Sequence, residues 1–282
     1  MLKVAVPNKG SLSEGAVELL RKAGYKCKRS GRELIVADEQ NKIEFYYLRP
    51  RDIAVYVGNG TLDLGITGQD LGFDSMADVV ELLPLNFGAS RFFYAIPKEF
   101  DWTPEDFGGK RIATSYPNVV KNDLAGREVA AAVVPLDGAV EISIQLGVAD
   151  VIADVVESGK TLKEAGLKVI GEPIMSSEAV LIARDREVEK DDRVTTMIHR
   201  LQGVLVAKKY VMIEYDVPKA SLDAACELTP GLEAPTLSPL SNDSWIAVKS
   251  MINAKEANVV MDQLKAVGAK AIIVTEIKSC RI

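Results

Sequence analysis

The sequence predicts an α/β protein of two linked lobes followed by a smaller α+β unit. Three observations carry that expectation. Short apolar runs alternate with amphipathic stretches as far as Ala207, the pattern of parallel strands crossed by helices. That plan starts afresh near Phe92, where a second unit of like design is expected. Beyond residue 207 the rhythm changes to strand, helix, strand, strand, helix, strand, the order of a ferredoxin-like domain. At 282 residues and 48% hydrophobic, the chain is long for one core, so two or three units are expected.

Each element has a local reason. Leu2–Val6 is an apolar run ending in Pro7-Asn8-Lys9-Gly10, read as a buried strand entering a loop. A helix should follow, with Ser11 and Glu14 at capping-box spacing, Val17, Leu20 and Ala23 on one face, and Gly24 as its stop. Ile43–Leu48 and Leu62–Thr67 are the next strands, and strand-helix-strand order points to parallel pairing. The second unit should use strands at Phe92–Ile96, Arg111–Ser115, Val129–Pro135 and Val151–Val156, with helices over Val119–Gly126 and Gly138–Leu146. The two units would be doubly wound sheets joined by single crossings, binding ligands in the cleft at the carboxyl ends of their strands.

Val180–Ala183 and a helix over Asp191–Ala207 form a return segment. Val194, Met197, Ile198, Leu201, Val204 and Leu205 make one apolar stripe on that helix, and His199 falls opposite, an exposed bystander. The last unit should place strands at Tyr210–Tyr215, Ala234–Leu237 (an edge), Trp245–Met251 and Ala271–Ile277. One helix should run over Pro218–Cys226, and another, capped by Asn253 and Glu256, should carry Ala257, Val260, Met261, Leu264 and Val267 and end at Gly268. The expected boundaries are 1–90 with 178–207 for lobe I, 91–177 for lobe II and 208–282 for the last domain. No internal repeat is evident.

Composition excludes several classes. With 40 acidic against 34 basic residues and a net charge of −6, the chain lacks the basic face of a nucleic-acid binder. Cys27, Cys226 and Cys280 are odd in number and form no C-x-x-C pair, so neither a disulfide framework nor a zinc site is expected. No apolar stretch is long enough for a membrane span, and Met1–Val6 is too short for a signal peptide core. A cytoplasmic location is the expectation.

The chemistry gathers in one loop. The apolar run from Val151 carries Asp154 and Val155 and leads into Glu157-Ser158-Gly159-Lys160-Thr161-Leu162. Strand, Ser-Gly-Lys-Thr turn and helix start would aim backbone N–H groups, two hydroxyls and a lysine at one point, a nest for a phosphate monoester. The plainer reading is a helix cap, with Ser158 or Thr161 closing the first turn. A P-loop would need glycine where Asp154 stands, and a carboxylate there repels a nucleotide's phosphates but could hydrogen-bond ribose hydroxyls. The pattern Asp-x-x-x-Ser-Gly-x-Thr therefore resembles the diphosphoribose loop of phosphoribosyltransferases, although Ala153 stands where many of those enzymes carry a second acid.

Three further segments narrow the resemblance. Asp63-Leu64-Gly65-Ile66-Thr67-Gly68-Gln69-Asp70-Leu71, Leu48-Arg49-Pro50-Arg51-Asp52-Ile53 and Leu136-Asp137-Gly138-Ala139-Val140-Glu141, with Pro7-Asn8-Lys9-Gly10, look like the ATP phosphoribosyltransferase family over essentially the whole chain. The C-terminal unit is similar to that of the long form, regulated by histidine without a separate regulatory subunit. The resemblance implies a periplasmic-binding-protein-like catalytic core that joins phosphoribosyl diphosphate to adenine N1 of ATP, with Mg2+ brought mainly by the diphosphate. It implies histidine and AMP as inhibitors and a homo-oligomer, dimer and hexamer. The absence of a serine or cysteine triad fits a reaction that needs positioning and electrostatics rather than a nucleophile.

By the same resemblance, Ser158, Gly159, Lys160 and Thr161 would hold the 5′-phosphate, with Val155 and Glu157 beside them, and Asp154 the ribose hydroxyls. Glu141 would favour positive charge on the ribose, so Glu141 and Asp154 are the expected catalytic residues. Lys9, Gly10 and Arg49 would face the phosphates, Asp70 and Leu71 the nucleotide from the opposite wall, and Tyr116 could offer it a ring. Asp216, Leu232, Thr236 and Ala271 would line the histidine site. No metal is assigned to protein ligands alone. Plainer readings stand beside these: Asp70 as a helix cap, Arg49 as a surface residue before Pro50, Lys9 as a solvated lysine, and Phe45, Tyr46 and Tyr47 as core. The alternatives are a two-lobed binding protein without catalysis, a P-loop NTPase and a free-standing amino-acid sensor.

Overall fold

Strand β1 (Leu2–Pro7) buries every residue but Lys3, as an apolar run broken at that one position requires of a central parallel strand. We describe the protein from a computed structural model, whose described residues are 1–31, 33–156 and 159–281. After β1 come α1 (Gly10–Lys22), β2 (Ile35–Asp38), β3 (Ile43–Leu48), α2 (Pro50–Gly58), β4 (Leu64–Gly68), α3 (Gln69–Asp74) and β5 (Val80–Pro84). Then follow β6 (Ser90–Pro97), β7 (Arg111–Thr114), α4 (Pro117–Gly126), β8 (Ala132–Pro135), β9 (Val151–Val155), α5 (Lys160–Glu164), β10 (Leu167–Ser177), β11 (Ala179–Ala183) and α6 (Asp192–Ala207). The last elements are β12 (Tyr210–Pro218), α7 (Leu222–Leu228), β13 (Thr236–Pro239), β14 (Trp245–Asn253), α8 (Ala257–Ala266) and β15 (Lys270–Glu276).

The chain divides into two compact units, 1–21 with 25–195 and 22–24 with 196–282. The first holds a six-stranded sheet, β2-β3-β1-β4-β11-β5, and a five-stranded sheet, β10-β6-β9-β7-β8. β1 pairs in parallel with β3 and β4, and β7 in parallel with β8 and β9, so the expected parallel cores are present. β11 runs antiparallel to both β4 and β5, and β6 antiparallel to β9 and β10. The chain passes between the sheets twice, from β5 to β6 and from β10 to β11.

Both sheets are packed on their faces by apolar side chains, aliphatic on the first and mixed with aromatic ones on the second. Ala5, Ile53, Ala54, Val57, Val180 and Ile182 pack α2 onto the first sheet. That contact is close at Gly65, where a Cβ would lie 2.5 Å from Ile53 Cγ2. Phe92, Tyr94, Phe107, Ile112, Val120 and Leu124 fill one face of the second sheet, and Ala95, Ala113, Ile152 and Leu162 the other.

The second unit is a β-α-β-β-α-β fold with sheet order β13-β14-β12-β15, all antiparallel and edged by β13 as expected. Val211, Ile213, Tyr215 and Val217 alternate inward against Ala225, Val260 and Leu264.

Several expectations need correction. No helix runs over Gly138–Leu146. Val140–Ile142 is a single 3₁₀ turn entered through left-handed Ala139 (φ 49°). The Ser143 hydroxyl donates to the Val140 carbonyl at 2.6 Å, taking an acceptor that a continuing helix would use. Helix α1 already starts at Gly10, so Ser11 and Glu14 lie inside it rather than boxing its end, and its buried stripe is Ala16, Leu19, Leu20 and Ala23. Glu256 occupies the N-cap of α8 without a side-chain bond, while Asn253 Oδ1 accepts from the Lys255 N–H at 3.0 Å. A 3₁₀ turn over Lys219–Ser221 precedes α7, and β2, β5 and β10 are strands that patterning missed.

Candidate active site

Parallel strands send their carboxyl ends to one edge, and the chemistry-bearing loops follow from that. In the five-stranded sheet β7 leads to Ser115-Tyr116, β8 to Leu136-Asp137-Gly138 and β9 to residues beyond Val155. In the six-stranded sheet β1 leads to Asn8-Lys9-Gly10, β3 to Arg49 and β4 to Gln69-Asp70.

Asp154 lies on central β9, half-buried after the fully buried Val151, Ile152 and Ala153. Its Oδ1 accepts the Val155 N–H at 2.8 Å, and no cation pairs with it among the described residues. Burial raises the carboxyl above its usual range, the Val155 N–H opposes that, and the Glu141 carboxylate pushes it further up. Glu141, on the 3₁₀ turn, and Asp154 share a cavity of about 260 Å³ with Val155, Val156, Gly159, Thr161 and Leu162. An acid pair without a cation at a polar cavity is arranged for a positively charged or hydroxyl-rich guest.

Gly159 has a positive φ of 66° and occupies the N-cap of α5 with no side-chain bond. Thr161 sits inside α5 rather than capping it, and Lys160 is exposed, its Nζ 4.0 Å from Glu164 Oε1. Glu157 and Ser158 lie outside the described residues.

Tyr116 joins the two sheets' contributions. Its ring meets Phe92 edge-on at 5.1 Å, and the Arg51 guanidinium lies 5.0 Å from its centroid. Burial pushes its hydroxyl well above the usual tyrosine range, Asp70 and, more weakly, Asp154 and Asp74 add to that, and Arg51 opposes it. Asp70 from the first sheet and Asp154 from the second thus act on one ring. Asp70 is buried, accepting the Leu71 N–H at 2.8 Å and the Ser90 hydroxyl at 3.4 Å, while its own N–H donates to Ser177 Oγ at 3.0 Å.

Lys9 is exposed beside Gly10 (φ 75°). Arg49 takes the N-cap position of α2 in extended conformation before Pro50, its side chain exposed and unpaired among the described residues. Two neighbours escaped the sequence reading. Arg29 donates to the Asn8 carbonyl at 2.6 Å and lies over Tyr47, and the Asn8 side-chain oxygen is buried without a partner. No local pattern marks Arg29, whereas Asn8 stood inside a quoted segment. Phe45 and Tyr47 are core, as the plainer reading held, and Tyr46 is half-buried.

In the second unit Asp216 lies on the helix-free face of β12, opposite Ala247 and Lys270. Ala271 (φ 49°) follows Lys270 where the β12–β15 register shifts. Thr236 is exposed on edge strand β13 and Leu232 is exposed before it. Among the described residues no group of three His, Cys, Asp or Glu could hold a metal, and no helix is long and apolar enough to cross a membrane.

The ATP phosphoribosyltransferase family pattern matches residues 49–203, and that of its C-terminal domain residues 207–279. The chain belongs to the ATP phosphoribosyltransferase family. The ATP phosphoribosyltransferases of Corynebacterium jeikeium (strain K411) and Salinibacter ruber are 55% and 54% identical to it, each over all of both chains. The ATP phosphoribosyl transferase (HisG:HisZ) complex from Thermotoga maritima shares 28% identity and a TM-score of 0.63, over 72% of this chain and 97% of that one. An ArgBP mutant from T. maritima matches at a TM-score of 0.50 and 14% identity over 74% of this chain and 90% of that one, a likeness of fold alone. The expected fold class holds, and so does the activity: this ATP phosphoribosyltransferase-family chain is a pentosyltransferase of the first step of histidine biosynthesis.

Proposed function

We propose that the edge carrying Glu141, Asp154, Gly159, Lys160 and Thr161 binds phosphoribosyl diphosphate, and that Lys9, Gly10, Arg49, Asp70, Leu71 and Tyr116 receive ATP and the phosphates facing it. The observation that carries this reading is the Asp154–Glu141 acid pair, half-buried and without a cation, beside the open backbone of Gly159. Adenine N1 forms a bond to ribose C1 as the bond from C1 to the diphosphate oxygen breaks, and the electron pair leaves with diphosphate. N1 is a modest nucleophile, so stabilising the charge that develops on both sides of C1 lowers the barrier. The two carboxylates favour positive charge on the ribose, and Asp154 also accepts its hydroxyls. Hard carboxylate oxygens suit magnesium arriving with the diphosphate, which when bound neutralises the leaving group. Lys9 and Arg49 add fixed positive charge on the same side.

The second unit supports regulation. In this reading Asp216, on the helix-free face of β12, receives the amino group of histidine, Leu232, Thr236 and Ala271 contribute to the same site, and a second subunit covers that face in a homo-oligomer, dimer or hexamer. Histidine, and AMP at the substrate cleft, act as inhibitors from the cytoplasm's own pools, and the coupling is reciprocal.

The test is formation of N1-alkylated adenine, followed by absorbance, from ATP, phosphoribosyl diphosphate and magnesium with pyrophosphatase present. The reading requires dependence on both substrates and a loss of about tenfold or more in kcat for Glu141→Gln. Product formed at the wild-type rate by that variant would remove Glu141 from the machinery.

A further inference from the structure

Besides Asp70, a second buried carboxylate ties the six-stranded sheet to the five-stranded one. Asp74, the last residue of α3, has a side chain only 4% exposed. Its Oδ1 accepts the backbone N–H of Asn118 at 2.8 Å and of Val119 at 3.3 Å, and its own carbonyl accepts Asn118 Nδ2 at 2.7 Å. Those amides are in the first turn of α4, whose N-cap residue is Tyr116 and makes no side-chain cap. A helix of one sheet is therefore capped by an acid from the other. Arg51, in the first turn of α2, completes the junction. Nη1 donates to Asp74 Oδ2 at 2.8 Å, Nη2 donates to the Ser115 carbonyl at 2.6 Å, and the guanidinium covers the Tyr116 ring.

The geometry points to Arg51 as a positioning residue for the nucleotide side of the reaction. In this role its contacts are to protein groups, Asp74, Ser115 and Tyr116. It acts by holding Ser115 and Tyr116 against Asp74, so that the Tyr116 ring stays between the Asp70 wall and Asp154. This rests on the reading that Tyr116 lines the ATP side of the cleft. A planar guanidinium suits the task, because its fork reaches carboxylate and carbonyl together while its face lies on an aromatic ring. A lysine keeps the charge and loses the fork and the face.

The distinguishing experiment is a double-mutant cycle on KM and kcat, using Arg51→Met, Tyr116→Ala and the two combined, with Arg51→Lys beside them. Arg51→Met is expected to raise the KM for ATP at least about fivefold and to leave that for phosphoribosyl diphosphate within about twofold; in the Tyr116→Ala background it should add less than about twofold. Arg51→Lys should fall between wild type and Arg51→Met. Should Arg51→Met melt below the assay temperature, Arg51→Met with Asp74→Asn takes its place, since that pair strands no buried charge. An unchanged ATP KM, or the same factor in both backgrounds while Tyr116→Ala itself raises the ATP KM, overturns the positioning role alone. A Tyr116→Ala enzyme with unaltered ATP KM overturns the placement of Tyr116, and the role of Arg51 falls with it.

Discussion

Asp74 and Asp154 are two acids drawn into the same unit, and their surroundings differ in kind. Asp74 receives a guanidinium and two backbone amides, so both carboxylate oxygens that burial strips of water have donors. Asp154 receives one backbone amide, faces a second acid across a cavity, and has its carboxyl pushed up by burial. The first arrangement stabilises the fold by itself. The second is unfavourable as it stands, and the proposed ribose contact would relieve it.

Substitution at the two acids should therefore separate activity from stability. Asp154→Asn is expected to lower kcat/KM for phosphoribosyl diphosphate by about 10²-fold with the fold intact, read by steady-state rates and circular dichroism. Asp74→Ala should leave the KM for phosphoribosyl diphosphate within about twofold and instead cost about 2–3 kcal/mol in denaturant unfolding, because the α4 amides and Arg51 lose their acceptor. If Asp74→Ala proved as stable as wild type, the contrast would dissolve.

The second unit allows a cleaner cut. Asp216→Asn should raise the histidine concentration for half-inhibition by about tenfold while leaving the uninhibited rate unchanged, since Asp216 lies outside the catalytic unit. Retained inhibition would remove Asp216 from the histidine site.

The smallest effect is thermal. Because burial raises the Asp154 carboxyl, the folded chain holds that proton more tightly than the unfolded chain does. Stability is then lost as pH rises from the unfolded value, about 3.9, through the raised folded value. Asp154→Asn abolishes that dependence, so without ligand at pH 7 it should melt about 2 °C above wild type, and the gap should close below pH 4. A variant that melts lower at neutral pH would mean Asp154 is a stabilising residue after all.

What the sequence disclosed and what it withheld follow a physical line. Ile43–Leu48 and Val151–Val155 were legible because buried strands read as apolar runs, and the helix start at Lys160 because Gly159 precedes it. Strand β10 was not, since Gly171 and Pro173 interrupt it and β6 holds it through pairing on either side of a register shift. The 3₁₀ turn at Val140–Ile142 hinged on one hydroxyl of Ser143, which no periodicity registers. Arg51 stood in a quoted segment, yet its partners are 23 and 64 residues away, and only the fold brings them to it.

Calorimetric titration of phosphoribosyl diphosphate with magnesium into wild type and Asp154→Asn, without ATP, tests the central assignment most directly. The account predicts measurable binding to wild type and an affinity lower by about tenfold or more in the variant. Equal affinities in two folded proteins would contradict it, and would place the ribose elsewhere than at Asp154.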